Sequence, residues 1–394
     1  MVTAAGARWP LALTLLLAII IPNAAVSSTD FRGELAGAMT VNNTESKPVY
    51  LSFQYIPELY LDWSLTESKS LDVQASLYTR WTTRFESIDS TTTDTHAEEY
   101  RVWLRFNTAQ SESRIGLQKI SFGAATLIRP LMWFDNIDPR DPLQITKGVW
   151  GVLFRYYFVN NANVWFWGLI KNDERKGWER VPSTSDDPEL GGRVQLPVPK
   201  GEIGLSYHHR TADYSKMWFP VPPSTDPSMQ TELDTSVPEN RVGVDGKWDV
   251  KVGLWFEGAF SHQDFDLLEY PYRSLVTVGL DYTFSLGDGL TVIGEQFLAR
   301  SGEEAFSGGG EKSDVTALSL RYAHGLLDEF AVIFFYDYDQ EEMYGFFDWR
   351  RRYDKWSWHV IAFSNPEELS LSFARPGSGI VAGDGLQLLV VFNH

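Results

Sequence analysis

Apolar and polar residues alternate one by one along much of this chain, and few patterns constrain a fold more tightly. Leu59, Leu61, Trp63 and Leu65 are separated by Tyr60, Asp62 and Ser64. Leu71, Val73, Ala75 and Leu77 are separated by Asp72, Gln74, Ser76 and Tyr78. Tyr100, Val102, Leu104 and Phe106 alternate with Arg101, Trp103, Arg105 and Asn107. Trp248, Val250, Val252, Leu254 and Phe256 alternate with Asp249, Lys251, Gly253, Trp255 and Glu257, and Val276 to Phe284 repeat the pattern. Helical spacing explains none of these windows as well. Each reads as a strand with one apolar face and one wet face.

The segments joining these strands alternate in length. Short turns are expected at Glu67 to Lys69, Ala109 to Glu112, Asn160 to Asn163, Val198 to Gly201, Asp245 to Lys247, Gly287 to Gly289, His324 to Leu327 and Asn365 to Glu368. Between them fall longer polar segments near 83–97, 123–147, 172–190, 211–238, 262–272, 300–313 and 339–354. An up-and-down barrel gives this rhythm when one rim carries tight turns and the other carries loops. The expectation is an all-β transmembrane antiparallel barrel of about 18 strands, with 16 as the alternative count. A sandwich would keep the alternation, but a propeller should show a repeat of roughly 40 residues, and none is present.

At the N-terminus, Arg8 precedes an apolar run from Leu11 to Ile21 that Pro22 closes and small residues follow. That run is shorter than the roughly 20 residues of a spanning helix. Residues 1–27 are therefore expected to be a secretory signal peptide, and 28–394 a single barrel domain. No later stretch is long and apolar enough to span as a helix. The final segment, Gly383 to His394, puts Leu386, Leu388, Val390 and Phe392 on one face. It looks like the terminal strand of an outer-membrane barrel, although Asn393 and His394 follow the expected closing aromatic.

Composition narrows the function. Cysteine is absent, which removes disulfides, thiolate metal sites and thiol nucleophiles. A formal charge of -18 argues against nucleic acid as a partner and suits an acidic surface or a cation-attracting lumen. Aromatics at 14% fit two girdles around a wet barrel.

The stretch Arg114 to Gly123, "RIGLQKISFG", resembles the Arg-x-Gly-x-Gln-x-x-x-aromatic-Gly pattern of alginate-export-like and related porin-like barrels. Arg114, Gly116, Gln118, Phe122 and Gly123 occupy the motif positions. A long loop and a strand similar to Lys147 to Phe158 follow, as in that family. The resemblance implies a large barrel that conducts solutes across the bacterial outer membrane. The acidic balance of this chain speaks against a polyanion as the solute.

Strand parity then gives candidate pore-lining residues. Arg80, Arg101, Arg105, Arg114 and Arg155 are expected to point inward on one wall, with Asp249, Glu257, Asp281 and Glu295 on the wall opposite. Separated charges of this kind set up a transverse field in a wet constriction. The alternative is scattered interior charge paired with neighbours. Residues 124–146 form a long loop rooted in the arginine wall and are expected to fold into the lumen. Trp133 and Phe134 would anchor it, with Asp135, Asp138 and Asp141 meeting Arg101, Arg105 or Arg155. The competing position is over the extracellular mouth.

Other chemistry is weakly signalled. Ser206 and His208 share a strand face in "LSYHHR", with no evident acid to orient the imidazole, so catalysis is not expected. Seven dispersed histidines suggest no metal site, and Asp337, Asp339 and Glu341 lack the glycine turn of a calcium loop. No cofactor is expected. The expected partners are outer-membrane lipid and lipopolysaccharide, small solutes or ions, and further copies or other proteins. Arg350, Arg351 and Arg352 are candidates for lipopolysaccharide contact. The expected function is passive diffusion or export through a charged constriction, the alternative being a non-conducting scaffold barrel.

Overall fold

The computed structural model describes residues 27–43, 48–87, 90–217, 235–265, 267–306, 309–366 and 383–394. The expected signal peptide lies outside these residues, except for Ser27. Among the described residues the chain forms eighteen strands. They are β1 (Ser28–Asn42), β2 (Val49–Thr66), β3 (Lys69–Ser87), β4 (Ser90–Asn107), β5 (Ser111–Gln118) and β6 (Val149–Tyr157). Next come β7 (Asn163–Leu169), β8 (Glu189–Val198), β9 (Gly201–Asp213), β10 (Ser236–Asp249), β11 (Gly253–Gln263) and β12 (Tyr272–Phe284). The last are β13 (Leu290–Gly302), β14 (Lys312–His324), β15 (Asp328–Asp337), β16 (Glu342–Arg352), β17 (Trp356–Ser364) and β18 (Asp384–Asn393).

Each strand pairs antiparallel with the next. β18 returns to β1 with Glu34 opposite Asn393 and Asn42 opposite Gly385, which closes the sheet into a barrel. Closure removes the unpaired edge that lipid could not hydrogen-bond. The start of β1 and the end of β18 lie on the rim that carries the tight turns.

The outer face is an apolar belt. Leu35, Phe53, Leu77, Ile115, Val152, Phe166, Leu205, Val278 and Leu388 all expose large side chains. The core lies inside the barrel, where the β5–β6 loop packs against the inward side chains of the strands.

Several local expectations need correction. Residues 83–97 are no loop, since β3 and β4 run on almost to a two-residue connection. Asp245 to Lys247, expected as a short turn, lie within β10, and the turn falls at 250–252. Gly246 is needed there for packing, because a Cβ on it would meet the rings of Trp248 and Phe256. The segment 339–354 hides β16, so the short turn comes at 353–355 and the long connection at 365–383. On β4, Ser76 pairs with Arg101 and Leu77 with Glu99, leaving Tyr100 as the extra residue of a bulge. Tyr100 therefore faces the lumen rather than lipid.

Candidate solute pathway through the lumen

The β5–β6 loop, residues 119–148, leaves the wall at a built-in corner. The Gln118 side-chain amide donates to the Gly151 carbonyl at 3.1 Å. Gly123 has φ of 104°, and a Cβ on it would lie 2.3 Å from Glu257 Oε2. Only glycine lets the chain pass that close in that conformation.

The loop then crosses the lumen to the far wall. Glu257 accepts from the backbone N–H of Ala125 at 2.9 Å and of Leu131 at 2.5 Å. Glu295 accepts from the N–H groups of Thr126, Leu127 and Ile128 at 2.7, 3.1 and 2.7 Å, and from Trp255 Nε1 at 3.0 Å. Thr277 Oγ1 donates to the Ile128 carbonyl at 2.7 Å. A loop buried away from water must find partners for its backbone, and two wall carboxylates supply them. Glu257 and Glu295 do point inward, but they sit under the loop with 0% and 3% exposure.

Met132, Trp133 and Phe134 are buried. Trp133 stands edge-on to Phe122 with centroids 5.4 Å apart. Phe134 meets Trp167 at 5.5 Å and His208 at 5.0 Å. Such contacts each add about 0.5–1.5 kcal/mol beyond the burial of apolar area.

The loop aspartates take partners other than the expected wall arginines. Asp135 pairs with Arg129 at 3.3 Å and Asp138 with Arg140 at 3.0 Å, both within the loop. Asp141 accepts from the N–H groups of Leu143 at 3.0 Å and Ile145 at 3.3 Å. The wall arginines meet wall acids one strand away or closer: Arg105 meets Asp72 at 2.8 Å, Arg114 meets Glu112 at 2.9 Å, and Arg155 meets Glu112 at 3.7 Å. Arg101 reaches the loop, donating to the Thr146 carbonyl at 2.9 Å. Neighbours in sequence or register pair with less ordering than partners across a lumen. Asp249 is exposed at the end of β10, and Asp281 sits on the inner face near the tight-turn rim, packed beside Gly253.

A second inward segment was not foreseen. In the β7–β8 loop, residues 170–188, Lys176 reaches Glu189 at 2.8 Å and Glu179 at 3.3 Å. Arg241 and Arg210 close the network through Glu179 and Glu239 at 3.1 and 2.6 Å. Trp178 stacks on Phe297 at 5.3 Å and donates to the Arg129 carbonyl at 2.8 Å, tying the two loops together. Gly177, with φ of 41°, lies so close to Met132 that a Cβ would sit 1.6 Å from its carbonyl oxygen. The available signal was the density of Lys, Arg and Glu between residues 174 and 180 beside Trp178.

What the loops leave free is a cavity of about 700 Å³. One side is formed by β1 to β4 and β16 to β18, the other by residues 136–147 with Glu174 and Arg175. Of the expected pore-lining residues, Arg80, Asp138 and Asp141 border it. Tyr50, Tyr78 and Tyr100 do so as well, and strand parity alone did not mark them as a set. Burial pushes the Asp141 carboxyl up to about 6, with Asp138 and Glu34 adding repulsion and the two backbone N–H groups opposing it.

His208 accepts from Trp167 Nε1 at 3.1 Å through Nδ1, so its Nε2–H donates to Glu189 at 3.0 Å. Glu189 is thus an orienting acid that the sequence did not reveal. Both ring nitrogens are occupied, however, and Ser206 accepts from Arg193 at 3.0 Å. This leaves the pair no base–nucleophile contact. Arg350 and Arg351 sit beside the tight-turn rim, paired with Glu329 at 2.9 Å and Asp328 at 3.5 Å. Asp339 pairs with Lys312 at 2.9 Å, and no acid or histidine group among the described residues could hold a metal ion.

A closed eighteen-stranded barrel with an apolar outer belt and loops packed in its lumen has the architecture of porin-type outer-membrane β-barrels. Its architecture matches OccAB4 of Acinetobacter baumannii with a TM-score of 0.55, at 7% identity over 94% of this chain and 98% of that one. It also matches OccK5 (OpdH) of Pseudomonas aeruginosa, with a TM-score of 0.54 at 12% identity, over 94% and 99% of the two chains. The outer-membrane protein OmpT of Vibrio cholerae, in a trimer form, gives 0.52 at 11% identity over 93% and 99%. At these identities the likeness is one of fold. No protein-family model and no curated protein matches the sequence.

Proposed function

We propose that the chain is a porin-like channel through which small solutes or ions cross the outer membrane by diffusion, without chemical conversion. The observation that carries this is the cavity of about 700 Å³ between the inward loops and the strands, bordered by Arg80, Asp141, Glu98, Lys147 and the three tyrosines. Loop 124–146 and the β7–β8 loop narrow the lumen to that passage. Charged side chains held around a narrow wet passage set which ions enter. Ser206 and His208 lack a nucleophile arrangement, which supports a channel over a barrel enzyme.

The depth of loop packing favours a second reading, a non-conducting barrel whose filled lumen serves an assembly. Reconstitution into a planar bilayer under a KCl gradient separates the two. The channel gives discrete conductance steps and a defined reversal potential; the scaffold is silent. The Vibrio cholerae relative is recorded as a trimer, and homo-oligomers of this chain are a corollary that crosslinking in membranes checks.

A further inference from the structure

The cavity lining mixes an apolar stretch with charged and tyrosine side chains. Ala36, Ala38, Phe346, Ile361, Phe363 and Leu389 give the β1 and β16–β18 part of the lining an apolar stretch beside Thr40, Asn365 and Gln387, which is unusual for a lumen that carries only water and inorganic ions. The same lining carries Tyr78 and Tyr100 on β3 and β4, and Asp141 on the loop.

The charges on this lining are mostly spent on one another. Arg80 faces Asp94 at 3.9 Å, Arg140 is held by Asp138 at 3.0 Å, and Lys147 lies 3.5 Å from Glu98 while also pairing with Glu174. His96 is 3.2 Å from Glu98. Asp141 differs. It has two backbone donors and no salt-bridge partner among the described residues, and Glu34 and Asp138 press on it with like charge. Asn136, on the same lining, has an acceptor Oδ1 that no donor meets.

Resting on the channel reading, we propose that this cavity takes amphipathic organic ammonium ions, the cationic head meeting Asp141 and the apolar body lying on the β16–β18 wall. An ammonium is the complement of a carboxylate that only backbone N–H groups meet among the described residues. The apolar wall adds affinity only for a solute that carries a hydrocarbon or aromatic body. A cavity of this size is ample for such a molecule.

The test uses the purified full-length barrel in detergent, with phenethylammonium as the probe and phenylacetate and ethylammonium as controls. Isothermal titration at pH 7.5, corrected for micelle partitioning, should show phenethylammonium binding at least about tenfold more tightly than either control. Asp141→Asn should abolish the preference over phenylacetate, and Asp141→Glu should keep it. Phe363→Ser should weaken phenethylammonium and leave ethylammonium unchanged. Equal binding of phenylacetate, or a preference that survives Asp141→Asn, overturns the proposal. Bilayer recordings made in parallel keep the two readings apart. Conductance without ammonium preference sinks this inference alone, whereas ammonium-selective binding in a silent barrel sinks only the channel.

Discussion

Glu295 shows how far a single position can be read before the fold is known. Its inward direction follows from alternation along the strand, and that much is legible. Its task is not, because the three N–H groups it accepts belong to residues 126 to 128, remote in sequence. Replacing it with alanine leaves those donors and Trp255 Nε1 without an acceptor, at about 1–3 kcal/mol for each buried group left unpaired. Glu295→Ala is therefore expected to loosen the loop, seen as higher and noisier single-channel current. Glu295→Gln keeps one acceptor and should fall between. Asp141 gives a pH signature of its own. Its carboxyl is raised to about 6, so it is charged at pH 7.5 and largely neutral at pH 5. Cation preference, read from reversal potentials, should drop as pH falls through that range. Asp141→Asn should lose that component of the drop and start from the lower selectivity. By the same sign, ionised Asp141 opposes docking of the loop, and protonation below pH 6 favours it.

Strands were the legible elements and the loop paths were not. Period-two alternation locates most of the eighteen strands because each has one face in lipid, while β16 escaped notice because charged residues at both ends blur its pattern. The Tyr100 bulge could not be foreseen, since one extra residue flips parity without any marker in composition. That the β5–β6 loop turns inward followed from the cost of leaving Trp133 and Phe134 in water, but its destination depended on Glu257 and Glu295. Deleting residues 124–146 is expected to raise conductance several-fold. An unchanged conductance would show that the passage is set elsewhere. Gly177→Ala tests the other loop: the new methyl group collides with the Met132 carbonyl in a backbone conformation that alanine resists. The expected result is faster trypsin cleavage near Arg175 and Lys176, with the barrel still running as the folded, heat-modifiable band.

For the molecule as a whole, stability and passage are divided between two faces of one sheet. The outward face answers to lipid, and a charge placed there costs more the deeper it lies. Val278 is 51% exposed in the middle of β12, opposite Phe256 on β11 and Gln296 on β13. Val278→Arg should destabilise the barrel by about 2–4 kcal/mol, measured as a shift in the denaturant midpoint for unfolding from lipid vesicles. Ser52 lies on β2 with the opposite parity and borders the cavity. Ser52→Arg puts the same charge into water, where a substitution is usually worth no more than about 0.5 kcal/mol, but it adds a cation to the passage. The midpoint should hardly move while cation selectivity falls. If both variants unfolded at the same midpoint, the apolar belt would not be facing lipid, and the separation of faces that the proposed channel requires would be lost with it.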